Sequence, residues 1–146
     1  MKIALGADHK GFALKDRIKA YLDKRGDDVA DYGTFSEESC DYPDFGLKVA
    51  HAIRAGAAKV GINICWTGNG MNIAANKVTG IRSALCLSED MAKLAREHND
   101  ANILSLASKY TEPESALKIV EAFLTSDYQG GRHVPRLAKI AAEEER

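Results

Sequence analysis

The sequence predicts an α/β fold, and two observations lead to this class. Short runs of apolar and β-branched residues alternate along the chain with longer segments in which apolar residues recur every three or four positions. Turn or capping residues separate these segments, as is typical of helices packed on a parallel sheet. We therefore predict a three-layer, doubly wound (Rossmann-like) arrangement with a five-stranded parallel sheet and a C-terminal helix.

The first half of the chain contains three predicted strands and three predicted helices. In the first helix Leu14, Ile18 and Leu22 lie on one face, and Gly26 follows as a common C-terminal residue. Gly56 ends the second helix in the same way. The elements are, in order, a strand over 2–7, a helix over 10–25, a weaker strand over 28–32, a helix over 42–55, a strand over 60–65 and a short helix from about 71 to 77.

The second half continues the alternation. Ser88 is a predicted N-cap, followed by two acidic residues where the helix dipole favours them. Thr111 to Glu114 has the spacing of a capping box, so Thr111 is the predicted N-cap of the next helix. The elements are a strand over 81–87, a helix to about residue 99, a strand over 103–106, a helix with an apolar face of Ala116, Ile119, Val120, Phe123 and Leu124, and a last helix ending near residue 146. With no internal repeat or linker, residues 1–146 are predicted to form one domain.

Composition and charge exclude several classes of protein. The chain has 146 residues, with 20 Lys and Arg against 21 Asp and Glu, for a net charge of -1. This balance argues against a nucleic-acid partner, because neutralising phosphates requires an excess of basic residues. The longest uncharged run, 60–76, contains four Asn and three Gly and therefore does not predict a membrane span.

The cysteines and the amino terminus predict a cytoplasmic protein without a metal. The three cysteines are widely spaced and form no paired Cys-x-x-Cys motif, so neither a disulfide framework nor a metal site is expected. The first apolar stretch is too short for a signal peptide, because the charged pair Asp8-His9 follows it at once. We expect a reducing compartment and no cofactor.

Candidate functional residues follow the predicted strands. In open parallel sheets the ligand crevice lies beyond the carboxyl ends of the strands. The residues at these positions are unusually polar: Asp8 and His9 after the first strand, Cys65 with Thr67, Gly68, Asn69 and Gly70 at the third, Ser88 after the fourth, and Ser108 with Lys109 after the fifth. They form the first candidate site.

The segment from Cys65 to Met71 is the most informative, because a Gly-rich turn before a helix exposes N–H groups that can hold an anion. It matches neither a Walker A loop nor the dinucleotide fingerprint, and Met71 stands where a Cys-x5-Arg phosphatase would need Arg. A tight strand-to-helix turn without function is an equal alternative. A thiol beside oriented N–H groups can have a lowered pKa, whereas a cysteine at a strand end is more often a buried small side chain.

Two further positions are candidates on helices. His98 shares a helical face with Leu94 and Ala95, which indicates either a core histidine or a functional group beside the polar run that comes after it. Arg132 and Arg136 lie four residues apart and can bind one phosphate or carboxylate if the last helix begins near residue 134. The alternative is a solvated basic helix start.

Together these residues give the sequence a close resemblance to the ribose-5-phosphate isomerase B family, which includes galactose-6-phosphate and allose-6-phosphate isomerases. The resemblance covers nearly the whole chain, which would then be one sugar-phosphate isomerase domain. The matching segments are 6–12, Asp41-Tyr42-Pro43, 65–70, 73–77, Gly80-Ile81-Arg82, His98-Asn99-Asp100 and 130–133.

The resemblance implies a metal-independent, cofactor-independent aldose–ketose isomerase acting on ribose 5-phosphate and ribulose 5-phosphate. It implies that Cys65 is the base that forms the enediolate and that His98 is the acid or base for ring opening. By the same resemblance Thr67, Gly68, Asn69 and Gly70 stabilise the oxyanion, Asp8, His9 and Asn99 orient the sugar, and Arg132 and Arg136 bind the phosphate. It also implies a homodimer or homotetramer with active sites between subunits.

Two residues depart from the family pattern. Trp66 replaces the usual Gly after the Cys, and its large side chain is expected to narrow the pocket or stack on the substrate. Lys109 replaces a phosphate-binding Arg and offers a point charge without the planar fork. Two alternatives remain: a six-carbon sugar phosphate as substrate, and a non-catalytic sugar-phosphate sensor on the same scaffold.

Overall fold

The structure is a computed structural model that describes residues 1–146. Five strands alternate with five of the six α-helices, and a single 3-10 turn, Gly131–His133, precedes the last helix. The elements are β1 (Lys2–Ala7), α1 (Phe12–Arg25), β2 (Asp28–Asp31), α2 (Tyr42–Arg54), β3 (Val60–Cys65), α3 (Asn69–Ala75), β4 (Ser83–Leu85), α4 (Glu89–Asn99), β5 (Ile103–Ala107), α5 (Pro113–Thr125) and α6 (Val134–Glu144).

The strands form one parallel sheet in the order β2-β1-β3-β5-β4. One face packs against α1, α4 and α5 through residues such as Ile18, Ala95 and Phe123. The other face packs against α2 and α3 through residues such as Val49 and Ala75. The predicted three-layer, doubly wound fold is confirmed.

Local differences from the prediction have identifiable causes. The β4 strand is only Ser83–Leu85 because it is an edge strand that pairs with β5 alone. The predicted capping box is wrong: Glu112 is the N-cap of α5, and the helix begins at Pro113. Proline at the first helical position has no N–H to satisfy and its φ already suits a helix, so the start moves there. Ser88 does cap α4, because its Oγ accepts a hydrogen bond from the Met91 N–H at 3.1 Å.

Polar residues gather at both ends of the strands. We call the end at which β1, β3 and β5 finish, at Ala7, Cys65 and Ala107, the carboxyl edge of the sheet. The amino edge is where strands begin, and α4 ends there, since Arg82 before β4 donates from Nε to the Asn99 carbonyl at 2.9 Å. The two edges lie about 15 Å apart, the length of a five-residue parallel strand.

The last helix, α6, is loosely packed: none of its residues is fully buried, and Val134 and Ile140 are both about half exposed. Its far end is fixed by Glu144, whose carboxylate accepts the Gly80 N–H at 2.9 and 3.0 Å. Between α6 and the start of β4 lies a cavity of about 720 Å³. No helix of the structure has both the length and the apolar character needed to span a membrane.

Candidate functional site

Asp8 lies at the point where the sheet order reverses, immediately after β1 and beside the end of β3. Its N–H donates to the Ile64 carbonyl at 3.2 Å. Its Oδ1 accepts the N–H groups of Lys10 and Gly11 at 3.0 and 2.9 Å, and the residue is only 5% exposed. This reversal is where doubly wound folds bind ligands, so the structure places a fixed carboxylate at the expected crevice.

His9, the next residue, is oriented by a distant segment of the chain. The backbone N–H of Cys40 donates to His9 Nδ1 at 3.2 Å, and the Cys40 thiol lies 3.7 Å from the same nitrogen. A nitrogen that accepts a backbone N–H is unprotonated, so the proton of the neutral ring is on Nε2. His9 therefore offers an N–H donor from its outer nitrogen.

The turn after β3 requires glycine. Gly68 has φ 78°, in the left-handed region, and a Cβ there would lie 2.4 Å from Leu85 Cδ1. A Cβ on Gly70 would lie 2.6 Å from the ring of Tyr42. Because both positions exclude a side chain, the turn folds tightly around Cys65.

Cys65 is 4% exposed, and its thiol faces the backbone N–H groups of Met71, Gly68 and Gly70. Burial raises the pKa of this thiol above its usual value, and the nearby Asp8 carboxylate raises it further. The three N–H groups act in the opposite direction but do not offset these effects. The expected lowering of the Cys65 pKa is therefore wrong in sign, although the expected N–H groups are present.

This raised pKa predicts slow alkylation of Cys65 at neutral pH. In a Cys40→Ala background, the rate of Cys65 carboxymethylation by iodoacetate should rise through a pH range above that of an ordinary thiol, because the thiolate is the reactive form. Asp8→Asn should move the midpoint to lower pH by removing a negative charge. Mass spectrometry of the Cys65 peptide measures the rate.

Cys86 is the internal comparison for that experiment, since burial raises its pKa to about 11 and no N–H group offsets the effect. It should react more slowly than Cys65 at every pH. A Cys65 midpoint at the ordinary thiol value, or one that Asp8→Asn does not move, would contradict the electrostatic account.

Lys109 and Trp66 complete the carboxyl-edge group. The Lys109 N–H donates to the Trp66 carbonyl at 2.9 Å, which joins the loops after β5 and β3. Trp66 is 43% exposed. The residues at this edge are Asp8, His9, Cys65, Trp66, Thr67, Gly68, Asn69, Gly70 and Lys109, all as predicted from their positions after strands.

His98 lies instead at the amino edge, in the last turn of α4, and is partly exposed. Its ring stacks on that of His133, with centroids 4.3 Å apart and planes at 18°. His133 is 6% exposed. Burial, with the nearby His98, Arg132 and Arg136, lowers the pKa of His133, so it stacks as a neutral ring.

Arg132 and Arg136 flank this histidine pair and are exposed. The α6 helix begins at Val134, as the interpretation of the two arginines requires. A hydrogen bond of 3.0 Å from the Gln129 N–H to the Glu97 carbonyl ties their segment to α4. The amino-edge group is therefore His98, Asn99, Arg132 and Arg136.

The predicted site residues thus fall into two groups at opposite edges of the sheet. Within one chain Lys109 and the two arginines are on different edges and do not converge on one anion. Cys40 and His133 belong to these groups but were not predicted as site residues. Neither follows a strand, and no periodic pattern marks the segment before Cys40. No group of three or more His, Cys, Asp or Glu is placed to hold a metal ion.

Comparison with known proteins matches residues 3–140 to the family model described as Ribose/Galactose Isomerase. Ribose-5-phosphate isomerase B of Escherichia coli (strain K12) is 48% identical over 145 residues, covering 99% of this chain and 97% of that protein.

Solved structures give the same result. Clostridium thermocellum ribose-5-phosphate isomerase B has a TM-score of 0.98 and 52% identity, with 99% and 98% of the two chains covered. The Mycoplasma genitalium ribose-5-phosphate isomerase B with bound ribulose-5-phosphate has a TM-score of 0.95 and 39% identity, with 99% and 97% covered.

Proposed function

This chain belongs to the ribose/galactose isomerase family and is a sugar-phosphate isomerase, and from this premise we propose that it interconverts ribose 5-phosphate and ribulose 5-phosphate. The proposal rests most directly on Cys65, a buried thiol at the sheet reversal, faced by N–H groups and close to Asp8. The names of similar proteins support the five-carbon substrate. Residues 1–146 act as one domain in this proposal.

In the proposed reaction the Cys65 thiolate removes the proton from the carbon next to the carbonyl of the open-chain sugar. The electron pair of that C–H bond forms the enediolate, a proton passes from the C2 oxygen to the C1 oxygen, and the carbon-bound proton is returned to C1, so the step needs no oxidant. Thr67, Gly68, Asn69 and Gly70 supply donors for the developing oxyanion. Asp8 accepts from a sugar hydroxyl, and His9 donates from Nε2.

The raised pKa of Cys65 makes the proposed reaction depend on pH. Only the thiolate is a base, so the active fraction of enzyme rises with pH until the thiol has titrated. The N–H groups of Gly68, Gly70 and Met71 stabilise the thiolate and keep its pKa from rising further. In this proposal the same turn stabilises both the Cys65 thiolate and the negative charge that forms on the substrate.

We also propose that the active site is completed by a second copy of the chain. His98, as acid or base for ring opening, and Asn99, Arg132 and Arg136, as sugar and phosphate ligands, lie about 15 Å from the carboxyl edge of their own chain. The exposed apolar residues of α6 support this proposal, because an uncovered amphipathic helix is typical of a subunit interface. A homodimer or homotetramer brings the two groups together.

The substrate is tested by comparing kcat/KM for ribose 5-phosphate, allose 6-phosphate and galactose 6-phosphate. We expect the five-carbon substrate to be preferred by about tenfold or more, because the large Trp66 side chain is expected to narrow the pocket. In deuterated water, isomerisation should introduce deuterium at C2 of ribose 5-phosphate formed from ribulose 5-phosphate. Preference for a six-carbon sugar would reject the proposed substrate, and binding without exchange would indicate a sensor.

A further inference from the structure

Lys10, Trp66 and Lys109 lie after three neighbouring strands and are held together by the backbone. The Ser108 hydroxyl shares its one proton between the Lys10 carbonyl, at 3.0 Å, and the Cys65 carbonyl, at 3.2 Å. The N–H of Lys109 donates to the Trp66 carbonyl at 2.9 Å. The three loops are therefore tied to one another at the ends of adjacent strands.

Two ammonium groups lie over the indole of Trp66. The Nζ of Lys10 is 5.2 Å from the ring centroid, and that of Lys109 is 5.7 Å away. Lys109 Nζ also lies 5.5 Å from the centroid of Tyr110. Both distances to the indole are within the range of cation–π attraction, which is strongest for tryptophan.

This arrangement is electrostatically unfavourable, because two positive charges lie near the same indole ring. An anion between or beside them would relieve the repulsion and gain attraction from both. Without the indole, each lysine side chain would sample many rotamers and lose that freedom only on binding an anion. Trp66 therefore prepares the two cations for a ligand.

The cations border a cavity of about 350 Å³ between the starts of α1 and α5. The charged residues that line it are Lys10, Arg17, Lys109 and Glu112, an excess of positive charge. Arg17 is paired with Glu114 at 2.7 Å, which leaves Lys10 and Lys109 against Glu112 and a net charge of +1 at the cavity. Thr111 also lines the cavity and is only 7% exposed. Its Oγ1 is buried and has no hydrogen-bond partner.

We propose that Trp66 is a positioning residue that holds the ammonium groups of Lys10 and Lys109 beside this cavity, so that both bind the phosphate group of the substrate. Lys10 thereby becomes a phosphate-binding residue. This role through the two lysines is additional to the expected roles of Trp66, narrowing the pocket or stacking on the substrate. The identity of the substrate in this inference rests on the proposed function.

Trp66 is the only tryptophan of the chain, so its fluorescence reports on the site directly. Titration with inorganic phosphate should change the emission as the ammonium groups turn from the ring to the anion. Lys10→Met and Lys109→Met should each weaken phosphate binding by about tenfold. Lys24→Met, at the far end of α1, removes the same charge away from the cavity and should leave binding within about twofold.

Variants of Trp66 are compared by calorimetric titration with inorganic phosphate and by kinetics. Trp66→Leu should weaken phosphate binding and raise KM for ribose 5-phosphate by about tenfold, with a smaller change in kcat. Trp66→Phe keeps an aromatic face and should recover most of the loss. In a Lys10→Met, Lys109→Met background, Trp66→Leu should have almost no further effect, because the residues act as a unit.

Equal phosphate affinities for the Leu and Phe variants would overturn the inference, as would a full effect of Trp66→Leu in the double lysine background. Phosphate binding is measured without turnover, so its result does not depend on the proposed function. Trp66-dependent phosphate binding in a protein that isomerises no sugar phosphate would reject the function alone. Normal isomerisation with a KM independent of Trp66 would reject the positioning role alone.

Discussion

Cys65→Ala is expected to lower kcat/KM for ribose 5-phosphate by about 10³-fold or more and to leave the fold intact. A positioned general base contributes roughly 10² to 10⁴ in rate. Here the loss should be toward the upper end, since alanine offers no base in place of the group proposed to remove the carbon-bound proton. Asp8 is a poor replacement for the thiolate, because a carboxylate is a much weaker base than a thiolate. Steady-state kinetics and circular dichroism measure the two effects.

Cys86→Ala is the matched control for this variant. Cys86 is also buried, at 1% exposed, and belongs to the core on the α1, α4 and α5 side of the sheet. Removing its sulfur leaves a similar small cavity, worth about 1 kcal/mol of stability, without touching the site. Near-normal turnover by Cys65→Ala, or an equal loss in Cys86→Ala, would show that Cys65 is not the base.

The parallel strands could be predicted from the sequence because they are buried on both faces. The runs over 2–7 and 60–65 have the predicted bounds, since every residue of β3 and all but the first of β1 are buried. The β4 strand could not be placed as well, because its three residues are only partly buried and have a neighbour on one side. The bounds of these strands are determined more by how their residues are packed than by the preference of those residues for β-structure.

The carboxyl-edge residues could be predicted for a different reason: topology alone places the ends of parallel strands together. The positions of Asp8, Cys65 and Lys109 are consequences of that rule. The contact of Cys40 with His9 could not be predicted, because 31 positions separate them and the intervening chain has little regular structure. The sign of the Cys65 pKa shift also needed the structure, since burial and Asp8 outweigh the N–H groups that the sequence indicates.

The position of His98 relative to Cys65 could not be predicted from its helix face alone. Its spacing from Leu94 and Ala95 indicates only a partly buried side, which suits a core residue as well as a functional one. The structure adds that α4 runs back to the amino edge, so His98 lies across the sheet from Cys65. This distance is the reason that one chain does not bring the proposed base and the proposed ring-opening group together.

Mixing two inactive variants is expected to restore activity if sites form between subunits. Cys65→Ala and His98→Asn should each be severely impaired as pure proteins. After unfolding and refolding together, about half of the dimers pair unlike chains, and one of their two sites combines Cys65 from one chain with His98 from the other. Activity should therefore recover to about one quarter of wild type, and the same fraction applies to a tetramer built from such dimers.

The double variant Cys65→Ala, His98→Asn provides the control for this experiment. Refolded with Cys65→Ala, it leaves every site without the thiol, so no activity should return even though unlike chains pair equally well. Native mass spectrometry of isotope-labelled chains verifies the pairing. Unlike pairs without recovery would place Cys65 and His98 in the same site of one chain and overturn the shared site. Near-normal activity of pure His98→Asn would show instead that His98 has no part in the reaction.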